Sequence, residues 1–117
     1  MKLKYFKIDE FRCPCCGKVD MDEGFLQLLD HARGLAQIPF RITSGFRCEK
    51  HNREVGGKPD SAHLSGHAVD IFVHSSKDRF KIVKSLIDVG FRRIGIAHNF
   101  IHVDNDTSKP WGVIWLY

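Results

Sequence analysis

The stretch Ser61-Ala-His63-Leu-Ser-Gly66-His67-Ala-Val-Asp70 carries potential metal ligands and leads into a predicted strand. Residues 68–73 are apolar except for Asp70 and predict a strand in which alternate side chains share one face. Gly66 has no side chain, so the backbone can turn sharply there and bring His63 back over the Asp70 carboxylate. The stretch therefore predicts that an imidazole and a carboxylate meet at the start of a strand.

A second imidazole comes from the run Ile101-His102-Val-Asp104, which also predicts a strand. His63, Asp70 and His102 would give three protein ligands, and three ligands with one open position are typical of a catalytic zinc ion. In the predicted strand His67 points away from Asp70, which favours a place in the pocket lining or behind a ligand. The chain has seven histidines, so chance pairs of histidine and aspartate are the open alternative.

Three motifs extend the pattern: Ser44-Gly-Phe-Arg47-x-x-x-His51-Asn52, Ser61-x-His63-x-x-Gly66-x-Ala-x-Asp70 and Gly95-Ile-Ala-x-x-Phe-Ile-His102-Val-Asp104. Together they resemble the zinc D-Ala-D-Ala carboxypeptidases and peptidoglycan L,D/D,D-endopeptidases, which share a fold with the hedgehog signalling domain. The resemblance covers about residues 6–117 and points to the small, single-domain, phage-encoded or prophage-encoded branch.

The resemblance implies a zinc metallopeptidase that cuts peptidoglycan stem peptides, either as a D-Ala-D-Ala carboxypeptidase or as an endolysin-type endopeptidase. It also implies that His63, Asp70 and His102 bind one catalytic zinc ion. Arg47 and Ser61 would line the substrate pocket, where a guanidinium and a hydroxyl suit the carboxylate of a peptide terminus.

The chain departs from this family at the general base. Several branches place an acid three residues before the last histidine ligand, where this chain has Asn99, and others place a histidine where it has Phe100. Asp104 is the first candidate for the base, since it shares a strand face with His102; the alternative is that it only orients that ligand. His98, in a predicted turn, is the second candidate. A chain without a base would be a non-catalytic zinc module that binds cell-wall peptide or a protein partner.

Four cysteines allow a second, structural zinc ion. Cys13-Pro-Cys15-Cys16-Gly17 contains a turn like a zinc knuckle, and Cys48-Glu-Lys-His51 adds a second pair at ligand spacing. The predicted ligands are Cys13, Cys16, Cys48 and His51. Four buried or unpaired thiols are the alternative, and His51 could instead line the substrate pocket. A disulfide is disfavoured if the chain stays in a reducing compartment.

Composition predicts one domain over residues 1–117, with 43% apolar residues and nine phenylalanines to fill a single core. Residues 1–7 are too short and too charged for a signal peptide, so we expect synthesis in the cytoplasm and action on the cell wall after release or lysis. No apolar run reaches membrane length. The net charge of +4 is modest, and no aromatic-basic stripe indicates nucleic-acid binding. We expect a monomer whose partner is a peptidoglycan stem peptide, with no membrane or nucleic-acid partner.

The periodicity predicts an α+β fold of the hedgehog/DD-peptidase type, with two main helices on a largely antiparallel sheet. One helix spans 21–37 with Asp20 as its cap, and the other runs from a cap at Ser75 or Ser76 to about residue 89. Strands are predicted at 40–44, 68–73, 93–97, 100–104 and 113–116. The residues predicted to face the core are Phe25, Leu28, Leu29, Ala32, Leu35 and Ala36 in the first helix, and Phe80, Val83, Leu86 and Ile87 in the second.

Overall fold

The computed structural model describes residues 2–117. Over this range the α-helices are α1 (Glu23–Ala36), α2 (Glu49–Glu54) and α3 (Ser76–Asp88). The strands are β1 (Ile42–Ser44), β2 (Ala68–Phe72), β3 (Arg93–Ile96), β4 (Phe100–Asp104) and β5 (Val113–Leu116), and two 3-10 helices span Ile8–Phe11 and Ala62–Ser65. The predicted α+β class is confirmed. None of the helices within residues 2–117 is long and apolar enough to cross a membrane.

The strands form one mixed sheet in the order β1-β2-β4-β3-β5. All neighbours run antiparallel except β3 and β5, which pair in parallel. In the centre of the sheet Asp70 of β2 lies opposite His102 of β4, and Gly95 of β3 flanks His102 on its other side. The register therefore places two of the three predicted ligands on adjacent strands at the same height.

The two-residue period of the strands divides the sheet into an apolar face and a polar face. The apolar face packs against α1 and α3 and forms the core, to which the central strands contribute Val69, Ile71, Ile94, Ile101 and Val103. The alternate positions of the same strands carry Asp70, Arg93, His102 and Asp104, all of them buried. The functional side chains thus lie on the face of the sheet that the two long helices leave open.

The helices begin later than the sequence predicted. Asp22, not Asp20, caps α1, because its side chain accepts the N–H of Phe25 at 2.9 Å. At the other end Gln37 has a left-handed conformation (φ 58°) and terminates the helix. Ser75 caps α3 by accepting the N–H of Asp78. The short helix α2 was not predicted, since six residues give too little periodicity to recognise.

The prediction of core positions was wrong for three residues. Leu35 on α1 is 50% exposed, and on α3 Phe80 is 67% and Ile87 40% exposed. Helix α3 has two apolar stripes, and only the stripe of Ile82 and Leu86 packs into the core. Phe80 and Ile87, seven residues apart, belong to the second stripe, which lines a shallow apolar groove on the surface.

Two glycines with nearly the same backbone conformation test how tightly the ligand loop is packed. Gly66 (φ +77°) ends the 3-10 helix that carries His63, and a Cβ there would overlap the Asp20 carbonyl and lie 2.8 Å from Met21 Cα. Gly112 (φ +79°) has open space around the same position. We expect Gly112→Ala to lower the free energy of unfolding by about 1 kcal/mol, the cost of a left-handed alanine. Gly66→Ala should cost clearly more, and equal losses in urea denaturation would contradict the predicted packing.

Candidate metal centre

Three buried side chains from separate elements meet on the open face of the sheet. His63 comes from the 3-10 helix before β2, Asp70 from the middle of β2, and His102 from the middle of β4. The Asp70 Oδ1 atom lies 3.3 Å from His63 Nε2 and 3.0 Å from His102 Nδ1. All three potential ligand atoms lie within 4.8 Å of one another. The structure therefore brings together the three residues that the sequence predicted as metal ligands.

Hydrogen bonds at the far side of each imidazole fix which nitrogen faces the cluster. The His63 Nδ1 atom lies 2.8 Å from the Gly45 carbonyl, which can only accept, so Nδ1 carries the proton and Nε2 presents a lone pair. The His102 Nε2 atom lies 2.7 Å from Asp104 Oδ2, which leaves Nδ1 as the lone-pair nitrogen. Ligand histidines in metal sites are held in this way by a carbonyl or a carboxylate.

The donor set fits a metal ion. The buried His63 Nε2 has no hydrogen-bond partner although it lies 3.3 Å from the Asp70 carboxylate, because two lone pairs face each other across this gap. A cation between them removes this mismatch. In a tetrahedral zinc site with bonds of about 2.0–2.1 Å, neighbouring ligand atoms are about 3.3 Å apart. The two separations that involve Asp70 Oδ1 match this value.

Burial and hydrogen bonding act in opposite directions on the titration of the cluster. Burial raises the pKa of the Asp70 carboxyl, but hydrogen bonding with His102 and His63 outweighs it and holds this pKa well below its usual range. Burial lowers the pKa of His102, but Asp104 and Asp70 raise it above its ordinary value. Burial also raises the pKa of Asp104, and His102 and Arg93 more than offset it. Both aspartates are therefore carboxylates at neutral pH.

Asp104 lies behind His102, and both of its oxygens are engaged. Its Oδ2 accepts from His102 Nε2, and its Oδ1 accepts from Arg93 Nε at 2.7 Å and from the Asp106 N–H at 3.1 Å. The side chain is only 2% exposed. Of the two roles considered for Asp104, general base or support of His102, this arrangement favours the support of His102.

The second candidate for the base lies elsewhere. His98 is exposed in the turn between β3 and β4, and its carbonyl accepts from Arg79. It precedes His102 by four residues, roughly 13 Å of extended chain. Asn99, at the position where relatives carry an acid, is exposed in the same turn. Neither side chain is among the residues that line the cavity in front of the ligands.

Arg47 joins the cluster directly through Asp70. Its Nη2 donates to Asp70 Oδ2 at 3.2 Å, its Nε to Ser44 Oγ at 2.9 Å, and its Nη1 to Asn52 Oδ1 at 3.2 Å. Asn52 is buried, and its amide donates in turn to the carbonyl of Lys58. Arg47 is thus held in place while it lines the cavity.

Ser61 occupies the rim of the same cavity. Its Oγ accepts the N–H of His63 and caps the 3-10 helix Ala62–Ser65. The hydroxyl hydrogen is still available to a ligand, since this bond uses only an acceptor position. His67 points away from the cavity, with Nε2 3.7 Å from Asp22 Oδ1 near the start of α1.

The cavity in front of the ligands has a volume of about 810 Å³. Besides Arg47 and Ser61 it is lined by charged and aromatic groups that the sequence did not reveal: Lys58, Asp60, Arg93, Lys109, Trp115 and Tyr117. The Trp115 ring centroid lies 5.5 Å from that of His102. Trp115 pairs with Gly95, and a Cβ on Gly95 would lie 2.6 Å from the indole nitrogen. A glycine inside a predicted strand was the available hint of this close approach.

The cysteines form a second cluster. The thiols of Cys13, Cys16 and Cys48 lie within 4.8 Å of one another, and these cysteines are not joined by disulfides. His51, predicted as the fourth ligand, reaches this cluster only through its backbone N–H, which donates to the Cys48 sulfur at 3.4 Å. The cluster is a second group that could hold a metal ion.

An α+β domain that directs two imidazoles and a carboxylate into one cavity defines a candidate metal-dependent hydrolase. A family model described as Peptidase M15 matches residues 4–104, and the chain belongs to this family. The match includes His63, Asp70 and His102 and confirms the resemblance to the zinc D-Ala-D-Ala carboxypeptidase-like family. No curated protein matches the chain.

The support of His102 by Asp104 predicts a specific loss of metal binding. Asp104→Asn should weaken the binding of Zn²⁺ by about tenfold to a hundredfold, the usual effect of removing a carboxylate that orients a ligand histidine. The matched control is Asp106→Asn, because the Asp106 side chain pairs with Lys109 and does not contact His102. Competition with a chromogenic chelator measures both Kd values. An unchanged Kd in Asp104→Asn would show that the carboxylate does not support the ligand.

Proposed function

We propose that the protein is a zinc metallopeptidase that hydrolyses peptide bonds in peptidoglycan stem peptides. The observation that carries this proposal is the convergence of the lone pairs of His63, Asp70 and His102 in a cavity that also exposes Arg47. Membership of the M15 peptidase family supports the hydrolytic reaction and the choice of zinc.

His63, Asp70 and His102 would hold the zinc ion. When bound, it supplies Lewis acidity toward a peptide carbonyl and toward an attacking water molecule. The protein contributes the orientation of the ligands: Gly45 fixes the ring of His63, and Asp104 fixes the ring of His102. A site held in this way does not have to reorganise when the substrate enters.

The charge of the cavity suits a peptide that carries a carboxylate. Arg47 has five N–H donors, and its three observed hydrogen bonds leave one on each terminal nitrogen for a ligand. Lys58 and Lys109 add positive charge to the lining, while Trp115 and Tyr117 provide an aromatic wall. Stem peptides combine free carboxylates with small apolar side chains, which fits this combination of groups.

The proton acceptor is the least defined part of the reaction. Three carboxylates line the cavity, and two of them, Asp70 and Asp104, are engaged with the histidines. Asp60 is the remaining one and lies exposed on the rim, so it becomes our first candidate for the base. The engagement of Asp104 also favours a second function, a non-catalytic zinc module that binds wall peptide.

Digestion of purified peptidoglycan separates the two functions. With zinc present we expect new peptide termini in the mass spectrum: free D-Ala from a carboxypeptidase, or paired fragments from an endopeptidase. The double variant His63→Ala, His102→Ala should produce none. Asp60→Asn should retain zinc and lose at least a hundredfold in rate if Asp60 is the base. Binding of peptidoglycan without any cleavage by the parent protein would refute the peptidase and support the binding module.

Arg47 allows a test of the proposed substrate. Arg47→Ala should lower kcat/KM toward a stem peptide by about tenfold to a hundredfold at saturating zinc, since a hydrogen bond to a charged group contributes about 1.5–3 kcal/mol. Arg53→Ala on the exposed surface of α2 is the control and should leave kcat/KM unchanged. If a substrate with an amidated terminus is equally insensitive in both proteins, the lost contact is the one to the carboxylate. Full activity of Arg47→Ala would show that the residue is structural only.

A further inference from the structure

The second cluster brings together cysteines that are far apart in the sequence. The sulfurs of Cys13 and Cys48 are 3.8 Å apart although 35 residues separate them, and Cys16 lies within 4.8 Å of both. Three thiols at this spacing surround a common point rather than form a single pair. We propose that Cys13, Cys16 and Cys48, with Cys15 as fourth ligand, bind a second, structural zinc ion.

The backbone around the first two ligands is that of a tight turn. Gly17 has a φ of +76°, which suits glycine, and its N–H donates to the Cys13 carbonyl at 2.9 Å. The Cys13 N–H in turn donates to the carbonyl of Lys18 at 2.9 Å. These bonds close residues 13–18 into a loop that presents the sulfurs of Cys13 and Cys16 on the same side, the geometry of a knuckle-like zinc ligand pair.

The surroundings stabilise the thiolate form that zinc requires. Burial raises the pKa of the Cys13 thiol, but the N–H groups of Cys48, Cys16 and Cys15 outweigh burial and bring it to about 7. The sulfur of Cys48 accepts the N–H of His51. Donors directed at a sulfur are a feature of a ligand, whereas an inert buried thiol needs none.

Cys15 is the best placed of the remaining donors to complete the site. Its thiol forms a hydrogen bond with the Cys48 thiol, and this contact raises the pKa of Cys15. The ring of His51 is absent from the group of donor atoms that come together within residues 2–117. A closed set of four sulfur ligands is typical of structural zinc.

A zinc ion there would fix the segment that supports the candidate active site. Next to Cys13, the carbonyl of Phe11 accepts the N–H of Phe46 at 2.9 Å. The neighbouring Gly45 uses its carbonyl to orient His63, and Arg47 lies between Phe46 and the ligand Cys48. The second zinc would therefore hold residues 45–48 against the N-terminal segment, with one ligand on each side.

The inference does not depend on the peptidase activity, and the two metal sites can be counted separately. Protein purified under reducing conditions should contain two zinc ions per chain. The double variant His63→Ala, His102→Ala should retain one, and Cys13→Ser, Cys48→Ser should retain the other. One zinc ion in the parent that is lost with the histidines would overturn the proposal, as would a parent mass lowered by two hydrogens through a disulfide.

Cobalt substitution tests the ligands in folded parent protein, so a cysteine variant that fails to fold does not affect the result. Cobalt bound by sulfur has intense thiolate-to-metal charge-transfer bands in the near ultraviolet, which nitrogen and oxygen ligands do not produce. We expect these bands in the parent and in His63→Ala, His102→Ala. Their absence would overturn the proposal. Cys15→Ser should weaken the bands and His51→Ala should not; the reverse result would replace Cys15 by His51 as fourth ligand and overturn that assignment.

Discussion

The register between β2 and β4 is the constraint on which the site depends. It places Asp70 opposite His102 and Ala68 opposite Asp104, while Val69 and Ile71 face the helices. A slip of one residue would move every side chain of β2 to the other face, so the ligand carboxylate would enter the core and two apolar residues would enter the cavity. The burial of apolar surface against α1 and α3 therefore also selects the alignment of the metal ligands.

The sequence allowed the central ligands to be predicted because their positions follow from local rules. Strand periodicity placed Asp70 and His102 on polar faces, and Gly66 marked the turn that returns His63. The role of Asp104 could not be decided in this way, because its partner Arg93 is on another strand and eleven residues away. The parallel pairing of β3 with β5, which brings Trp115 beside His102, is a tertiary choice that local patterns do not encode. The exposed Phe80 was missed because helical periodicity does not say which of two apolar stripes finds a partner.

Two arginines balance the two carboxylates of the cluster. Arg47 pairs with Asp70, and Arg93 pairs with Asp104 while its guanidinium carbon lies 5.0 Å from the centre of the Trp115 ring. With neutral imidazoles the cluster has no net charge, so a divalent cation would give it a charge of +2 in a setting of low dielectric. Such a centre attracts an anionic ligand strongly. The same balance explains how four charged side chains can be buried together.

Asn52 connects the guanidinium at the centre of the cavity with the loop at its edge. It accepts from Arg47, and both its backbone carbonyl and its side-chain amide bond the loop, at the Gly57 N–H and the Lys58 carbonyl. Gly57 leaves no room for a side chain beside the Asn52 amide. Movement of this loop away from the cavity would break the bonds that position Arg47, so the loop is unsuited to act as an independent lid. The binding groups are preorganised, and a ligand loses little of its binding energy to ordering them.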